Sequence, residues 1–190
     1  MHLPTAYQET TVYYRVKERT HEIPLTDCKE DLLEDVADAD ISASDSYGPP
    51  YGPERARLTT VEAQPEYNGG GSWIAHPDDL DPYIQVKFNN TKLITGISTK
   101  GRNSRTSYRW VTWFSVLHST DGASWVTVQD ADCNVMFKGN VDRDSLVKNR
   151  FSQHFRAQYV RVRPLKSKVH PGMRFGVSGC DLVCMYITIK

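Results

Sequence analysis

The chain has 190 residues, in which 23 Lys and Arg balance 23 Asp and Glu, so the formal net charge at pH 7 is zero. This length suits one domain with a sizeable core, and the absence of a global charge argues against a nucleic-acid partner. No apolar run approaches the ~20 residues that span a bilayer, residues 1–5 do not open a signal peptide, and four cysteines do not decide the compartment.

Residues 1–27 are predicted to be an extension or linker that precedes the compact region. Within them, residues 10–16 are rich in β-branched and aromatic side chains and could add an edge strand to a sheet. The alternative is a linker from a neighbouring module. The sequence leaves both alternatives open.

The segment after Cys28 consists mostly of loops. Pro and Gly recur through residues 46–53 and exclude regular structure there. The result is a long loop that carries Tyr47 and Tyr51. A glycine-rich loop follows at residues 68–73 and ends in a large aromatic side chain.

From residue 83 onward the chain is dominated by short strands, separated by turn signals at intervals of ~8–12 residues. The predicted strands outside the central hairpin are residues 83–88, 92–99, 135–137, 157–163 and 173–177, with a tight turn at residues 89–90. No convincing helix interrupts them. This pattern is typical of an all-β sandwich.

Residues 108–128 predict a hairpin at the centre of that sandwich. Strand alternation places Phe114 and Val116 on one face, and residues 119–122 supply an Asp and a Gly for the turn. An apolar hairpin of this kind is not stable alone, so it must pack against other strands. We expect Trp125, directly after the turn, to be buried as the main apolar anchor of the hairpin.

An ordered set of short segments is spread over the region from Cys28 to Cys180, which is roughly four-fifths of the chain. The segments are residues 40–44, 55–58, 73, 83–88, 94–102, 110–112, 119–125, 137–142, 157–162 and 178–180. In this order they resemble the discoidin domain family, also called the coagulation factor 5/8 type C domain. Two departures are Lys87, where the family usually has Asp, and Lys166, where it often has Trp.

The resemblance implies an eight-stranded, discoidin-like jelly-roll β-sandwich with ligand loops at one end. It places the domain at residues 28–184, followed by a short tail at residues 185–190. It also implies a disulfide between Cys28 and Cys180, for which Cys184 could compete. Cys133 has no evident partner and is either free or intermolecular.

Three loops are expected at the ligand end, namely residues 44–54, 68–73 and 101–110. Tyrosine rings can stack on sugars or lie at interfaces, and arginine binds carboxylate, sulfate or phosphate through its two-pronged guanidinium. The alternatives are a solvated polar loop without a ligand, or arginines that pack against the core. The candidate ligand-binding residues are Tyr47, Tyr51, Arg102, Arg105, Tyr108 and Arg109.

The sequence gives little support for catalysis or for a metal. The six histidines are scattered without metal-ligand spacing, and neither a nucleophile elbow nor a phosphate-binding glycine loop is present. Asp78, Asp79 and Asp81 favour a solvated loop over a calcium site. We therefore predict no enzyme activity, no cofactor and no metal.

Asn89 begins a glycosylation sequon, Asn-Asn-Thr, at the predicted turn and is expected to be exposed. Chance occurrence of so short a motif is the alternative.

The predicted function is that of a non-enzymatic extracellular module for cell or matrix adhesion. Its expected partner is a glycan or a cell-surface or matrix protein. The alternatives are peripheral binding of an anionic phospholipid such as phosphatidylserine, or a role as an accessory domain of a larger receptor or enzyme.

Overall fold

The computed structural model describes residues 28–29, 31–62 and 70–181, and in these residues it contains nine strands and four short 3-10 helices. The strands are β1 (Cys28–Lys29), β2 (Ile41–Ala43), β3 (Trp73–Ile74), β4 (Ile84–Lys100), β5 (Trp110–Ser119), β6 (Val126–Thr127), β7 (Phe137–Lys138), β8 (Val147–Lys168) and β9 (Gly172–Asp181). The helices are Leu32–Asp35, Asp38–Asp40, Pro49–Tyr51 and Pro53–Ala56. The last two begin within residues 46–53, where the sequence predicted no regular structure, because proline is tolerated in the first turn of a helix. Within these ranges no helix has the length and apolarity needed to cross a bilayer. The strand predicted at residues 10–16 lies outside the described residues, as does Cys184.

The two longest strands, β4 and β8, run antiparallel to each other through both layers of a β-sandwich. Residues 84–87 of β4 pair with residues 159–162 of β8, and next to them lie β2 and β5. Residues 92–100 of β4 pair instead with the first part of β8 and with β9. Each long strand therefore contributes to both layers, and the all-β sandwich expected from the sequence is confirmed.

The structure differs from the expected eight strands and from the expected turn at residues 89–90. The structure has nine strands because it also contains strands of two residues, such as β1 and β3, which both pair with β9. At residues 88–91 the chain continues within β4, with a register shift between Lys87 and Lys92. A bulge of this kind bends a strand and increases its twist, so β4 changes layers without leaving the sheet.

The core lies between the two layers and is filled by alternate side chains of the long strands. Ile84 and Val86 from one half of β4 join Ile94 and Ile97 from the other half in a single buried cluster. Phe114 of β5 belongs to the same cluster and is fully buried, as the alternation in the hairpin predicted. Burying each such side chain contributes about 1.5–3 kcal/mol relative to exposure.

The hairpin turn forms by the expected chemistry. The Asp121 carboxylate accepts hydrogen bonds of 2.8 Å from the backbone N–H groups of both Ala123 and Ser124. These bonds hold the pKa of Asp121 well below its ordinary value. Gly122 adopts a φ of 77°, which is the left-handed region that favours glycine.

Trp125 is only half-buried, so the prediction that it anchors the hairpin in the core is wrong. It lies on the outer face of the sandwich, where its ring covers the guanidinium of Arg161 at 3.9 Å and meets the edge of Tyr159 at 6.4 Å. Its position directly after the turn places it beyond the buried part of the ladder. The fully buried tryptophan is instead Trp73, whose Nε1 donates to the backbone oxygen of Asp45 at 3.0 Å.

The pairing of the long strands determines which loops share an end of the sandwich. Lys100 at the end of β4 is opposite Arg174, and Trp110 at the start of β5 is opposite Lys168. Ala43 at the end of β2 is opposite Ile84. The loops that follow β2 and β4 share one end, because β4 bends at residues 88–91 and both loops bond to the segment at residues 70–71. The hairpin turn lies at the other end, where Ser119 is opposite Tyr159, the partner of Lys87 beside the bend.

The Cys28–Cys180 disulfide is present and joins β1 to β9 in register. It connects residues 152 positions apart. Cys133 is free and exposed.

Removal of the disulfide should destabilise the domain strongly. Loop-closure entropy for a connection of this length predicts that Cys28→Ser with Cys180→Ser lowers the free energy of unfolding by about 2–5 kcal/mol, out of a total of about 5–15 kcal/mol for a typical domain. Denaturant titration would measure the difference. Cys133→Ser is the matched control and should leave the midpoint unchanged; equal midpoints for all three proteins would contradict the prediction.

The two tryptophans should differ in their contribution to stability. Trp73→Ala removes a fully buried ring and should cost about 3–5 kcal/mol through lost burial and a residual cavity. Trp125→Ala removes a surface ring with one aromatic and one cation–π contact and should cost about 1–2 kcal/mol. Thermal and denaturant unfolding of both variants would test this order. A larger loss of unfolding free energy for Trp125→Ala than for Trp73→Ala would contradict the prediction.

Candidate functional site

The loops at residues 44–54 and 101–110 meet at one end of the sandwich. The contact begins at the backbone, where the Arg102 N–H donates to the Arg109 carbonyl at 2.9 Å and closes the second loop on itself. The Asn103 N–H donates to the Gly71 carbonyl at 3.0 Å, and the Gly70 N–H donates to the Pro50 carbonyl at 2.7 Å. These bonds join three chain segments into one surface.

Gly71 is the point of closest approach between these segments. A Cβ atom built at this position would lie 1.6 Å from the backbone oxygen of Asn103. Only glycine fits this backbone path, because any side chain would collide with the neighbouring backbone. Asn68 and the rest of residues 63–69 lie outside the described residues.

Four of the six candidate residues form one row, which we call the Tyr–Arg cluster: Arg109, Tyr47, Tyr51 and Arg102. The Arg109 guanidinium lies 6.0 Å from the centre of the Tyr47 ring, and Tyr47 meets Tyr51 edge to face at 5.9 Å. Tyr51 in turn lies 5.0 Å from the guanidinium of Arg102. Residues from separate loops are thus held side by side by cation–π and aromatic contacts.

Glu62 pairs with Arg102 at one end of the Tyr–Arg cluster. One carboxylate oxygen accepts from Arg102 Nη2 at 3.1 Å and from the Ser104 hydroxyl at 2.9 Å, while the other accepts from the Arg105 N–H at 3.1 Å. Partial burial favours the neutral form of this carboxyl, but the hydrogen bonds from Arg105 and Ser104 and the charge of Arg102 outweigh it. Together they lower the pKa of Glu62 below its ordinary value.

Arg102, one of the candidate ligand-binding residues, is buried. Its relative exposure is 8%, and its guanidinium is directed at Glu62 and Tyr51. The role that its environment supports is positioning of Tyr51. Its removal should therefore affect stability, contrary to the expectation for an exposed charge.

Three candidate residues remain accessible at this end. Tyr47 is 50% exposed and Tyr108 is 58% exposed. Arg105 is exposed, and its guanidinium makes no hydrogen bond or ion pair with another described residue. The Tyr108 ring lies 5.0 Å from the guanidinium of Arg143 and outside the Tyr–Arg cluster.

Sequence reasoning missed the residue that ties these loops to the sandwich. Arg174 of β9 is 3% exposed, and its guanidinium donates to backbone oxygens of Gly101 at 2.8 Å, Thr60 at 3.0 Å and Arg143 at 3.0 Å. A buried guanidinium requires such partners, since its five donors would otherwise lose their hydration. The only local signal was an arginine within an apolar strand, which does not reveal its partners.

The site has the chemistry of a binding surface. Within the described ranges, no group of three or more His, Cys, Asp or Glu side chains is arranged to hold a metal. The exposed functional groups are phenol rings and one guanidinium, which recognise ligands by stacking and by charge-assisted hydrogen bonds.

Asn89 lies on the bulge of β4 and is exposed, as the sequence predicted. Its glycosylation stays a prediction.

A family model for the F5/8 type C domain matches residues 40–177. Neuropilin-1 of Xenopus laevis is 31% identical over 144 residues, a match that covers 75% of this chain. The same match covers 15% of neuropilin-1, so this chain spans only a small part of that relative.

Two solved structures share the fold. Discoidin II of Dictyostelium discoideum has a TM-score of 0.66 at 21% identity, over 75% of this chain and 55% of discoidin II. A module from Clostridium perfringens, solved in complex with GalNAc-β-1,3-galactose, has a TM-score of 0.51 at 14% identity, over 76% of this chain and 97% of the module. The sandwich, the disulfide and the span of the family match agree, and the chain therefore belongs to the F5/8 type C (discoidin) domain family.

Proposed function

We propose that this domain, which we place at residues 28–184, is a non-enzymatic extracellular module that attaches to a glycan or a protein of the cell surface or matrix. Domains of this family are binding modules for phospholipid, carbohydrate or protein. The disulfide between Cys28 and Cys180 supports an oxidising compartment outside the cell. These two points support an adhesive role outside the cell.

The observation that carries the proposal is the Tyr–Arg cluster with its accessible ring of Tyr47. An exposed aromatic face normally rotates freely, and a ligand that binds it must restrict that freedom. Here Arg109 and Tyr51 contact Tyr47 on two sides, so its orientation is fixed before the ligand arrives. Preorganisation of this kind increases affinity without any new contact to the ligand.

The accessible groups favour a ligand that combines a flat apolar face with negative charge. Tyr47 and Tyr108 offer ring faces, and Arg105 offers a guanidinium without a described partner. An acidic or sulfated sugar fits this set, and so does an acidic protein segment. The sugar-bound neighbour from Clostridium perfringens shares the fold alone, so the argument depends on these side chains.

Phospholipid binding is the second candidate, and two exposed valines favour it. Val61 is 62% exposed beside Glu62, and Val141 is 82% exposed next to Asn140. Asn140 donates to the carbonyl of Thr99 at the end of β4, which places Val141 at the loop end as well. Apolar side chains beside an arginine could enter the headgroup region of an anionic membrane.

A glycan array and a phosphatidylserine liposome pull-down, run on the same preparation, would separate these candidates. Binding of acidic or sulfated glycans with no liposome retention supports the first, whereas liposome retention that is lost in Val61→Ser with Val141→Ser supports the second. Failure of both assays would direct attention to a protein ligand, to be sought by cell-surface binding.

Substitutions at the loop end should separate the contribution of ring stacking to ligand affinity from the contribution of charge. Tyr47→Ala should weaken ligand binding by about tenfold, the scale of one stacking contact of ~1–1.5 kcal/mol, while Tyr47→Phe should retain most of it. Arg105→Ala should weaken binding without a change in melting temperature, because an exposed unpaired charge contributes little to folding. Titration calorimetry would measure the affinities.

Arg156→Ala is the control for Arg105→Ala, since Arg156 is also exposed but pairs near the opposite end of the sandwich. If charge carries much of the affinity, binding should also weaken from about 50 to about 500 mM salt, as the screening length falls from about 14 to about 4 Å. Full affinity of both Tyr47→Ala and Arg105→Ala would place the ligand site elsewhere.

The pH dependence of stability should show that Glu62 supports the cluster. The folded-state pKa of Glu62 lies below its unfolded value of about 4.3, so its contribution is present above that value and is lost as the pH falls through the folded-state pKa. The stability difference between the wild type and Glu62→Gln should therefore be largest near neutral pH and shrink below about pH 4. Urea titration across this range would measure it, and a difference independent of pH would refute a role for the charge.

A further inference from the structure

A groove lies between β7 and the first part of β8, on the side of the sandwich and away from the Tyr–Arg cluster. Its volume is about 550 Å³, within the range of ligand sites in proteins. The residues that define this β7–β8 groove are Trp113, Met136, Phe137, Lys138, Lys148 and Arg150. None of them belongs to the loop site.

The floor of the groove is apolar. Phe137 is 5% exposed and packs against Phe114 and Phe151 in the core, so it closes the bottom. Met136 beside it is 48% exposed, and Trp113 is half-buried. A flexible thioether and an indole ring provide an adaptable surface for apolar side chains.

The rim of the groove is cationic. Lys138, Lys148 and Arg150 are all exposed there, and strand pairing places Lys138 and Lys166 on either side of Trp113. The side chains of Lys138 and Arg150 make no hydrogen bond or ion pair with another described residue.

The one carboxylate that lines the groove, Asp130, is occupied by its own loop. It accepts from the Asn134 N–H at 2.8 Å and from the Asp132 N–H at 2.9 Å. Asp130 is therefore directed at donors of its own loop. The three cations of the rim outnumber it, so the groove carries net positive charge although the whole chain is neutral.

Two strand edges border the groove. Among the described strands β7 pairs only with β5, and residues 147–157 of β8 pair only on their β4 side. Asn149 Nδ2 of β8 donates to the Lys138 carbonyl of β7 at 3.0 Å and joins the two edges. Unpaired strand edges present backbone donors and acceptors that an added strand can use.

From these features we propose that the β7–β8 groove binds an extended, acidic segment of a partner protein. Backbone groups of the segment bond to a strand edge, its apolar side chains contact Trp113 and Met136, and its carboxylates pair with Lys138 and Arg150. A sulfated polysaccharide would match the charge, but it would use neither the strand edges nor the thioether floor. The proposal adds a second site and does not depend on the ligand of the loop end.

Selection from a random peptide library would identify the sequence that the groove prefers. Peptides of about 12 residues are long enough to add a strand and extend beyond the groove. The library would be panned on the wild-type protein, and each enriched peptide measured by fluorescence polarisation. We expect enrichment of peptides that alternate carboxylates with apolar residues.

Charge reversal would locate the binding site. The double variant Lys138→Glu with Arg150→Glu should weaken the affinity for the enriched peptides at least tenfold. The control, Lys87→Glu with Arg156→Glu, changes the net charge equally at exposed positions outside the groove and should change the affinity less than twofold. Tyr47→Ala should also bind the peptides normally, which separates this site from the loop end. Thermal unfolding would confirm that each variant is folded.

Three results would overturn the proposal. The first is enrichment of peptides without net negative charge, and the second is equal weakening by the groove variant and its control. The third is that a sulfated heparin oligosaccharide binds, that this binding requires Lys138 and Arg150, and that no enriched peptide binds. That result would assign the groove to a polysaccharide.

Discussion

The antiparallel pairing of β4 with β8 sets the positions of the other elements of the sandwich. These strands, Ile84–Lys100 and Val147–Lys168, pair in both layers and shift register where they bend. Because both strands cross between layers, one buried cluster can take side chains from each half of each strand. The same pairing brings the end of β4, the start of β5 and the start of β9 to one end, where the candidate ligand surface lies.

The ligand surface shows how buried polar groups support exposed ones. Arg174 donates to the carbonyls of three loops from inside the sandwich, and Glu62 pairs with Arg102 within those loops. Tyr51 contacts Arg102, and Tyr47 contacts Tyr51, so the accessible ring stands at the end of a connected series. Loss of a buried member should disturb the surface indirectly, whereas loss of Tyr47 or Arg105 should affect the ligand alone.

The two proposed sites differ in the physics of recognition. At the loop end, fixed aromatic faces and a guanidinium suit a compact ligand whose shape and charge are recognised together. In the β7–β8 groove, the apolar floor, the cationic rim and the strand edges suit an extended chain. A domain with zero net charge can therefore carry local positive surfaces that its composition does not reveal.

The sandwich and the hairpin turn could be predicted from the sequence, because alternation and turn chemistry are local properties. The family was predicted from the resemblance of an ordered set of segments. The resemblance also implied the Cys28–Cys180 bridge, which the structure contains. The structure brings four of the candidate ligand-binding residues together in the Tyr–Arg cluster, and their role in binding a ligand stays a prediction. Three features required the folded chain: Arg102 is buried against Glu62, Trp125 lies outside the core, and residues 88–91 bend a continuous strand. Burial of a side chain depends on partners distant in the chain, such as Arg174 and Gly101, and no local pattern encodes them.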